Sequence, residues 1–177
     1  MSKEQRNIIE YLICVIGAFA MRFSLTNAKA YHYLRQFKGL EFLTRHYAIE
    51  HTLSIDDAVE DVIIVCNHHG GTNSATHLHS PNIPILLWNR KSSNSTQGNR
   101  RMTMHQEHQD RQFQIEHITQ ELVEQMMEEH GMTMQEAMDI IYGSHTYEKL
   151  ENPRTGLFYQ SPVYLMDILK DEVTTLS

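Results

Sequence analysis

Apolar residues recur at helical spacing in two blocks of this chain, separated by a stretch where that period is lost. In the first block Ile9, Leu12, Ile13, Ile16, Phe19 and Phe23 fall at i, i+3, i+4 and i+7 intervals, which predicts an amphipathic helix from Lys3 to Phe23. Ser2 with Gln5 reads as its capping box. Ser24 is expected to cap a second helix that buries Leu25, Ala28, Tyr31 and Leu34, with Gly39 as its left-handed stop. Leu40, Leu43 and Tyr47 predict a short third helix. Ser54, followed by Asp56 and Asp57 where acids favour the helix dipole, predicts a fourth that turns Ile55, Val59, Val62, Ile63 and Cys66 inward and closes at Gly70 and Gly71.

The second block repeats the plan. A helix from Gln112 to His130 buries Ile115, Ile118, Leu122 and Met126 and stops at Gly131; Thr133 and Glu136 form a capping box for the next, with Ala137, Ile140 and Ile141 inward and Gly143 at its end. A short element through Tyr147 and Leu150 follows. Ser161 with Pro162 then opens a last helix through Val163, Leu165, Met166 and Leu169. The blocks match at an offset of about 107 residues, through diverged duplication or through reuse of the same capping rules: an alanine near the start of each capped helix (Ala28, Ala137), a glycine stop (Gly39, Gly143), a leucine in the short element (Leu43, Leu150) and a serine before the last helix (Ser54, Ser161).

Between them Ser, Thr, Asn, Gln and Gly dominate, and structureless loops beyond about 15 residues are uncommon within one compact unit. The expected architecture is therefore all-α: a helical module over 1–71, a polar linker over 72–110 holding an apolar island at 83–88, and a second helical module over 111–177. The island carries the only tryptophan, Trp88.

Charge changes this picture along the chain. There are 7 basic and 8 acidic residues through Gly71, 4 basic and none acidic from Thr72 to Gln106, and 4 basic against 14 acidic from Glu107 onward. The acidic second module repels nucleic acid and anionic lipid, and four scattered cations in the middle make a poor phosphate-binding stripe. Lys3 and Arg6 ahead of an apolar run ending at Ala18, Phe19 and Ala20 imitate a signal peptide. Glu10 and Tyr11 interrupt that run, so neither export nor a membrane span is expected. The two cysteines, Cys14 and Cys66, sit in apolar helical patterns as free thiols, which fits a reducing, cytoplasmic compartment.

Chemistry is sparse. Cys66, His68, His69, His77 and His79 are ligand types for zinc, so a metal-binding regulator or metal-dependent enzyme built on them is the alternative reading, although their spacing matches no metal motif. Asp57 and Asp61 share a helical face. His46, Glu50, His51 and Ser54 make a nominal nucleophile set, but Ser54 is better used as a helix cap. No catalytic residue and no cofactor is assigned. Of 10 methionines, eight lie from Met102 onward, as core filler or as an adaptable seam for a partner helix. With no reactive set, the expected role is protein binding. The contact residues expected from their aromatic character are Tyr33, Tyr47, Trp88, Tyr147, Phe158 and Tyr159.

The stretch YHYLRQFKGLEFLTRHYAIEHTLS, with Tyr11 to Ile13 before it and Gly70 and Gly71 after it, resembles a small bacterial family, domain of unknown function 3791. The resemblance covers about 65 residues and implies a compact helical module. It further implies a gene neighbourhood shared with ADP-ribosyltransferase-like enzymes, hence a protein that regulates or neutralises such an enzyme. ENPRTGLFYQSPVYL in the second block resembles a short protein from the same neighbourhoods.

Overall fold

A computed structural model describes residues 1–71 and 96–175. Among them are nine α-helices, one 3-10 turn and no strand, so the chain is all-α. The first module holds α1 (Lys3–Phe23), α2 (Asn27–Gln36), α3 (Gly39–Arg45), α4 (Tyr47–Glu50) and α5 (Ile55–His68). The second holds α6 (Thr96–His130), α7 (Met134–Gly143), α8 (His145–Glu151), the 3-10 turn Leu157–Tyr159 and α9 (Pro162–Thr175).

The capping signals act at the residue level. Ser2 and Gln5 form a reciprocal box at α1, as do Thr133 and Glu136 at α7, and the Ser54 hydroxyl accepts from the Asp57 amide at α5. Four boundaries differ from expectation. The third helix ends at Arg45, and Tyr47, expected within it, opens the separate α4. Ser24 takes the left-handed conformation that closes α1 (φ 53°), and Thr26 caps α2 instead. Lys38, not Gly39, adopts φ 67° at the next turn, because Gly39 is needed for closeness: a Cβ there would lie 2.9 Å from Val62 Cγ2 and 3.1 Å from Cys66 Sγ. Finally, α6 begins at Thr96, inside the stretch read as linker. Its first turns are built of polar residues that accept a helix without an apolar stripe, so periodicity could not register them. Residues 72–95, with Trp88 and the apolar island, lie outside the described residues.

The two modules match element by element. The helices α2 and α7 both have 10 residues, α3 and α8 both have 7, and α5 and α9 both have 14. The caps Thr26 and Thr133 set the offset at 107, and the left-handed Ser24 and Gly131 obey it; this corrects two expected pairs, since Ala30 rather than Ala28 matches Ala137, and Thr146 rather than Gly143 matches Gly39. So does the core. Leu12, Val15, Ile16, Phe19, Ala30, Leu34, Leu43, Val59 and Val62 are all buried, and so are their counterparts Thr119, Leu122, Val123, Met126, Ala137, Ile141, Leu150, Met166 and Leu169.

These faces meet in one continuous core, along a seam where α1 packs antiparallel on α6 and α2 packs on α7. The seam is reciprocal. Arg6 pairs with Glu124, the counterpart of Gly17, while Gly17 lies against Gln112 and Glu116, the counterparts of Gln5 and Ile9. Tyr31 stacks on Tyr142, the counterpart of Arg35, while Arg35 pairs with Asp139, the counterpart of His32. Such exchange of partners is what an approximate two-fold axis produces. The molecule has the layout of a symmetric dimer joined into one chain.

Candidate partner-binding surface

Burial sorts the six aromatic residues. Tyr147 is 2 % exposed; its ring lies 4.7 Å from Tyr142 and its hydroxyl lies 3.3 Å from the Thr119 hydroxyl. Phe158 is buried in the same core. Both spend their aromatic surface inside the molecule, which corrects their assignment as contact residues. Tyr33 and Tyr47 are half-buried: Tyr33 lies between Phe19 and Phe37, and Tyr47 stacks on His51 while meeting Tyr11 edge-on at 5.5 Å. Tyr159, 74 % exposed, stands on the surface. Trp88 is outside the described residues.

Two residues close to Tyr159 in sequence escaped sequence reasoning. Val163 and Tyr164, in the first turn of α9, are exposed, because Leu165, Met166 and Leu169 set the buried face of that helix. The first module has the same feature at the same turn: Ile49, Leu53 and Ile55 are exposed around the start of α5, where Val59, Val62 and Cys66 set the inward face. Ile55 therefore faces solvent rather than the core. Each patch is followed by acids, Asp56, Asp57 and Glu60 on α5 and Asp167 and Asp171 on α9. Six methionines of the second module supply no such surface: Met126, Met138 and Met166 are buried, and Met127, Met132 and Met134 are partly buried against the core.

Among the described residues the groups with chemical potential stand apart. The Cys66 thiol lies in the core beside Gly39, burial pushing its pKa up to about 11, while His68 and His69 face solvent and the His69 ring bonds to the Val65 carbonyl. His77 and His79 fall outside the described residues. Among the described residues no three His, Cys, Asp or Glu side chains converge on a point that could hold a metal. Ser54 is committed to its cap and to Asp57 Oδ2 at 2.7 Å.

A cleft of about 130 Å³ opens on the seam between α1 and α6, lined by Glu10, Ile13, Cys14, Phe113, Glu116, His117 and Gln120. Its members pair by the offset, Glu10 with His117 and Ile13 with Gln120, so it sits on the approximate axis. Burial, then Glu116 and Glu10, push the Cys14 thiol up to about 11, away from the thiolate form on which reactivity depends.

One polar arrangement lies deeper. Where α4 covers α1, Tyr11 and Glu50, the last residue of α4, are 8 % and 6 % exposed, and neither the Tyr11 hydroxyl nor Glu50 Oε2 has a hydrogen-bond partner. Burial pushes the Tyr11 hydroxyl up to about 12, with the charges of Glu50 and Asp61 adding to it. Burial and Asp61 raise the Glu50 carboxyl as well, against a smaller effect of His46.

No single helix among the described residues is long and apolar enough to cross a membrane. No curated protein and no solved structure matches the chain. Residues 10–69, which take in the first module from the middle of α1 to the end of α5, are similar to the family described as "Protein of unknown function (DUF3791)".

Proposed function

We propose that this chain is a non-catalytic, cytoplasmic protein-binding module that docks a partner on its exposed apolar turns and thereby restrains an ADP-ribosyltransferase-like enzyme encoded beside it. The observation that carries the binding role is the pair of exposed apolar patches, Tyr159 with Val163 and Tyr164, and Ile49 with Leu53 and Ile55, placed at corresponding turns of the two modules and followed by acids. Aromatic and aliphatic side chains held on rigid helix ends are the usual anchors of an interface, and an acidic rim favours a basic partner. The choice of partner comes from the resemblance of the first module.

Co-expression with the product of the neighbouring gene tests the reading. A complex that survives size-exclusion chromatography is expected, and Tyr159→Ser with Val163→Ser should weaken it about tenfold or more while the fold is retained. Failure of the two proteins to associate at micromolar concentration would remove the proposal.

A further inference from the structure

Counterpart positions separate what this fold requires from what it merely tolerates. In the second module Ile118 stands where the first has Tyr11, and counting back from the serine caps Ser161 and Ser54, Leu157 stands where the first has Glu50. The 3-10 turn packs on α6 there, with Ile118 and Phe158 buried and Leu157 packed against the core. That layer is apolar. In the first module the same layer holds a tyrosine hydroxyl and a carboxylate oxygen, both buried and both without a partner.

Unsatisfied buried polar atoms cost stability, and the twin module shows that the architecture accepts apolar residues in their place. A departure of this kind from what packing favours is expected where function intervenes. The surroundings define the missing group. Glu50 and Asp61 act together on Tyr11, and the arginines and lysines on adjoining elements are engaged elsewhere, Arg22 with Glu60 and both Lys38 and Arg45 with Glu41, so that His46 is the basic group left to act on Glu50, less strongly than burial and Asp61. On the outside Ile49, 65 % exposed, and Leu53 offer apolar surface. The cover is thin, since α4 is a single turn of four residues that meets α1 through the Tyr47 and Tyr11 rings.

We propose that Tyr11 on α1 and Glu50, the last residue of α4, form an anchor site between the two helices for a cationic side chain, arginine or lysine, of a protein partner, with Ile49 and Leu53 receiving the apolar neighbours of that residue. A guanidinium or ammonium group supplies the donors that Glu50 Oε2 and the Tyr11 hydroxyl lack, entering between them as the single turn of α4 parts from α1. The source of the cation rests on the protein-binding role proposed above; the preference of the site for a cation does not.

The test uses the full chain, labelled for NMR, titrated with Nα-acetyl-arginine amide and, as a neutral isostere, Nα-acetyl-citrulline amide. Saturable shifts centred on Tyr11, Tyr47 and Glu50 are expected with the first probe and none with the second. Glu50→Gln and Tyr11→Phe should each weaken the arginine probe at least tenfold. The double variant Tyr11→Ile with Glu50→Leu, which installs the twin's residues, should abolish binding and melt at a higher temperature than the parent. Shifts spread evenly over the acidic surface, undiminished binding to Glu50→Gln, or a double variant less stable than the parent would each overturn the proposal. Normal probe binding without a complex with the neighbouring enzyme would instead fault the choice of partner.

Discussion

Between Ile8 and Ala20 the inward surface of α1 is almost wholly apolar, whereas α6 places Glu116, Thr119, Gln120 and Glu124 along the corresponding stretch. Each of these has an engagement: Thr119 donates to the Ile115 carbonyl at 2.6 Å, Gln112 donates to Glu116 at 2.9 Å, and Glu124 accepts from Gln120 and from Arg6. Across the seam the basic partner of every ion pair among the described residues comes from the first module and the acid from the second: the amine of Met1 with Glu128, Arg6 with Glu124, Arg35 with Asp139. Glu151 adds a carboxylate from the second module to the amides of Asn27 and Ala28 at the start of α2. Two modules of one plan have thus become complementary. A second module paired with its own copy would set Glu116 against Glu124, in the places now held by Glu116 and Gly17, so like charge makes the seam directional.

If both modules feed one core, matched truncations should cost alike. Leu34→Ala and Ile141→Ala remove fully buried counterparts and are each expected to lose about 2–5 kcal/mol. Denaturant unfolding should show one transition for each; separate transitions for the two modules would break the comparison. Gly39→Ala sharpens a difference instead, since its counterpart Thr146 carries a side chain without penalty. A Cβ at 39 must displace Val62 Cγ2 and Cys66 Sγ, for a loss of about 1–3 kcal/mol. A neutral result in the same assay would mean that the packing around Gly39 yields.

The seam itself is probed by Asp139→Asn, which weakens the Arg35 fork at 2.7 and 2.8 Å and the Tyr31 hydroxyl bond at 2.7 Å, an expected loss of about 1–2 kcal/mol after allowing for solvent at this half-exposed pair. Burial alone would raise the Asp139 carboxyl, but its bonds to Arg35 and Tyr31 outweigh that and hold it low. Its contribution is therefore complete above the unfolded value of about 3.9 and disappears as the pH falls through the lower folded value. Glu50 has the opposite sign. Its raised carboxyl contributes below about 4.3 and that contribution is lost as the pH rises through the folded value, so stability curves of Asp139→Asn and Glu50→Gln should part from the parent on opposite sides.

Smaller effects belong to the caps and the surface. Thr26→Ala and Thr133→Ala should each cost about 1 kcal/mol, the second more, because the Thr133 hydroxyl also donates to Glu136 at 2.8 Å in reciprocal exchange, a side-chain bond that is lost with it. Equal losses by thermal melting would show that the reciprocal bond adds nothing. Tyr159→Ser should change stability by less than about 0.5 kcal/mol, since the ring is largely in solvent. A larger loss would place Tyr159 among the structural residues rather than on a docking surface.

Much of this was legible because it is local. Capping depends on residues three apart, and the serines, threonines and their acidic or amide partners placed the starts of α1, α5 and α7. The choice between Ser24 and Thr26 was not legible, since both can cap and only the left-handed turn that ends α1 excludes the first. The site was harder to read. Aromatic character marks Tyr147 and Tyr159 equally, although one closes the core and the other projects from it. Val163 and Ile55 look inward by composition and stand outside because the first turn of each helix rotates them away from the buried stripe. Nothing in a sequence window joins Tyr11 to Glu50, which are brought together only when α4 folds back over α1.

By itself, then, the sequence determined an all-α chain, the caps and lengths of most helices, and a plan used twice, since each follows from spacing along a few turns. Tertiary structure decided that the two plans share one core across a directional seam, which aromatics reach solvent, and that one layer buries an unpartnered hydroxyl and carboxylate. These outcomes depend on which faces meet at long separation. Burial and hydrogen-bond satisfaction belong to pairs of surfaces, and no single helix encodes them alone.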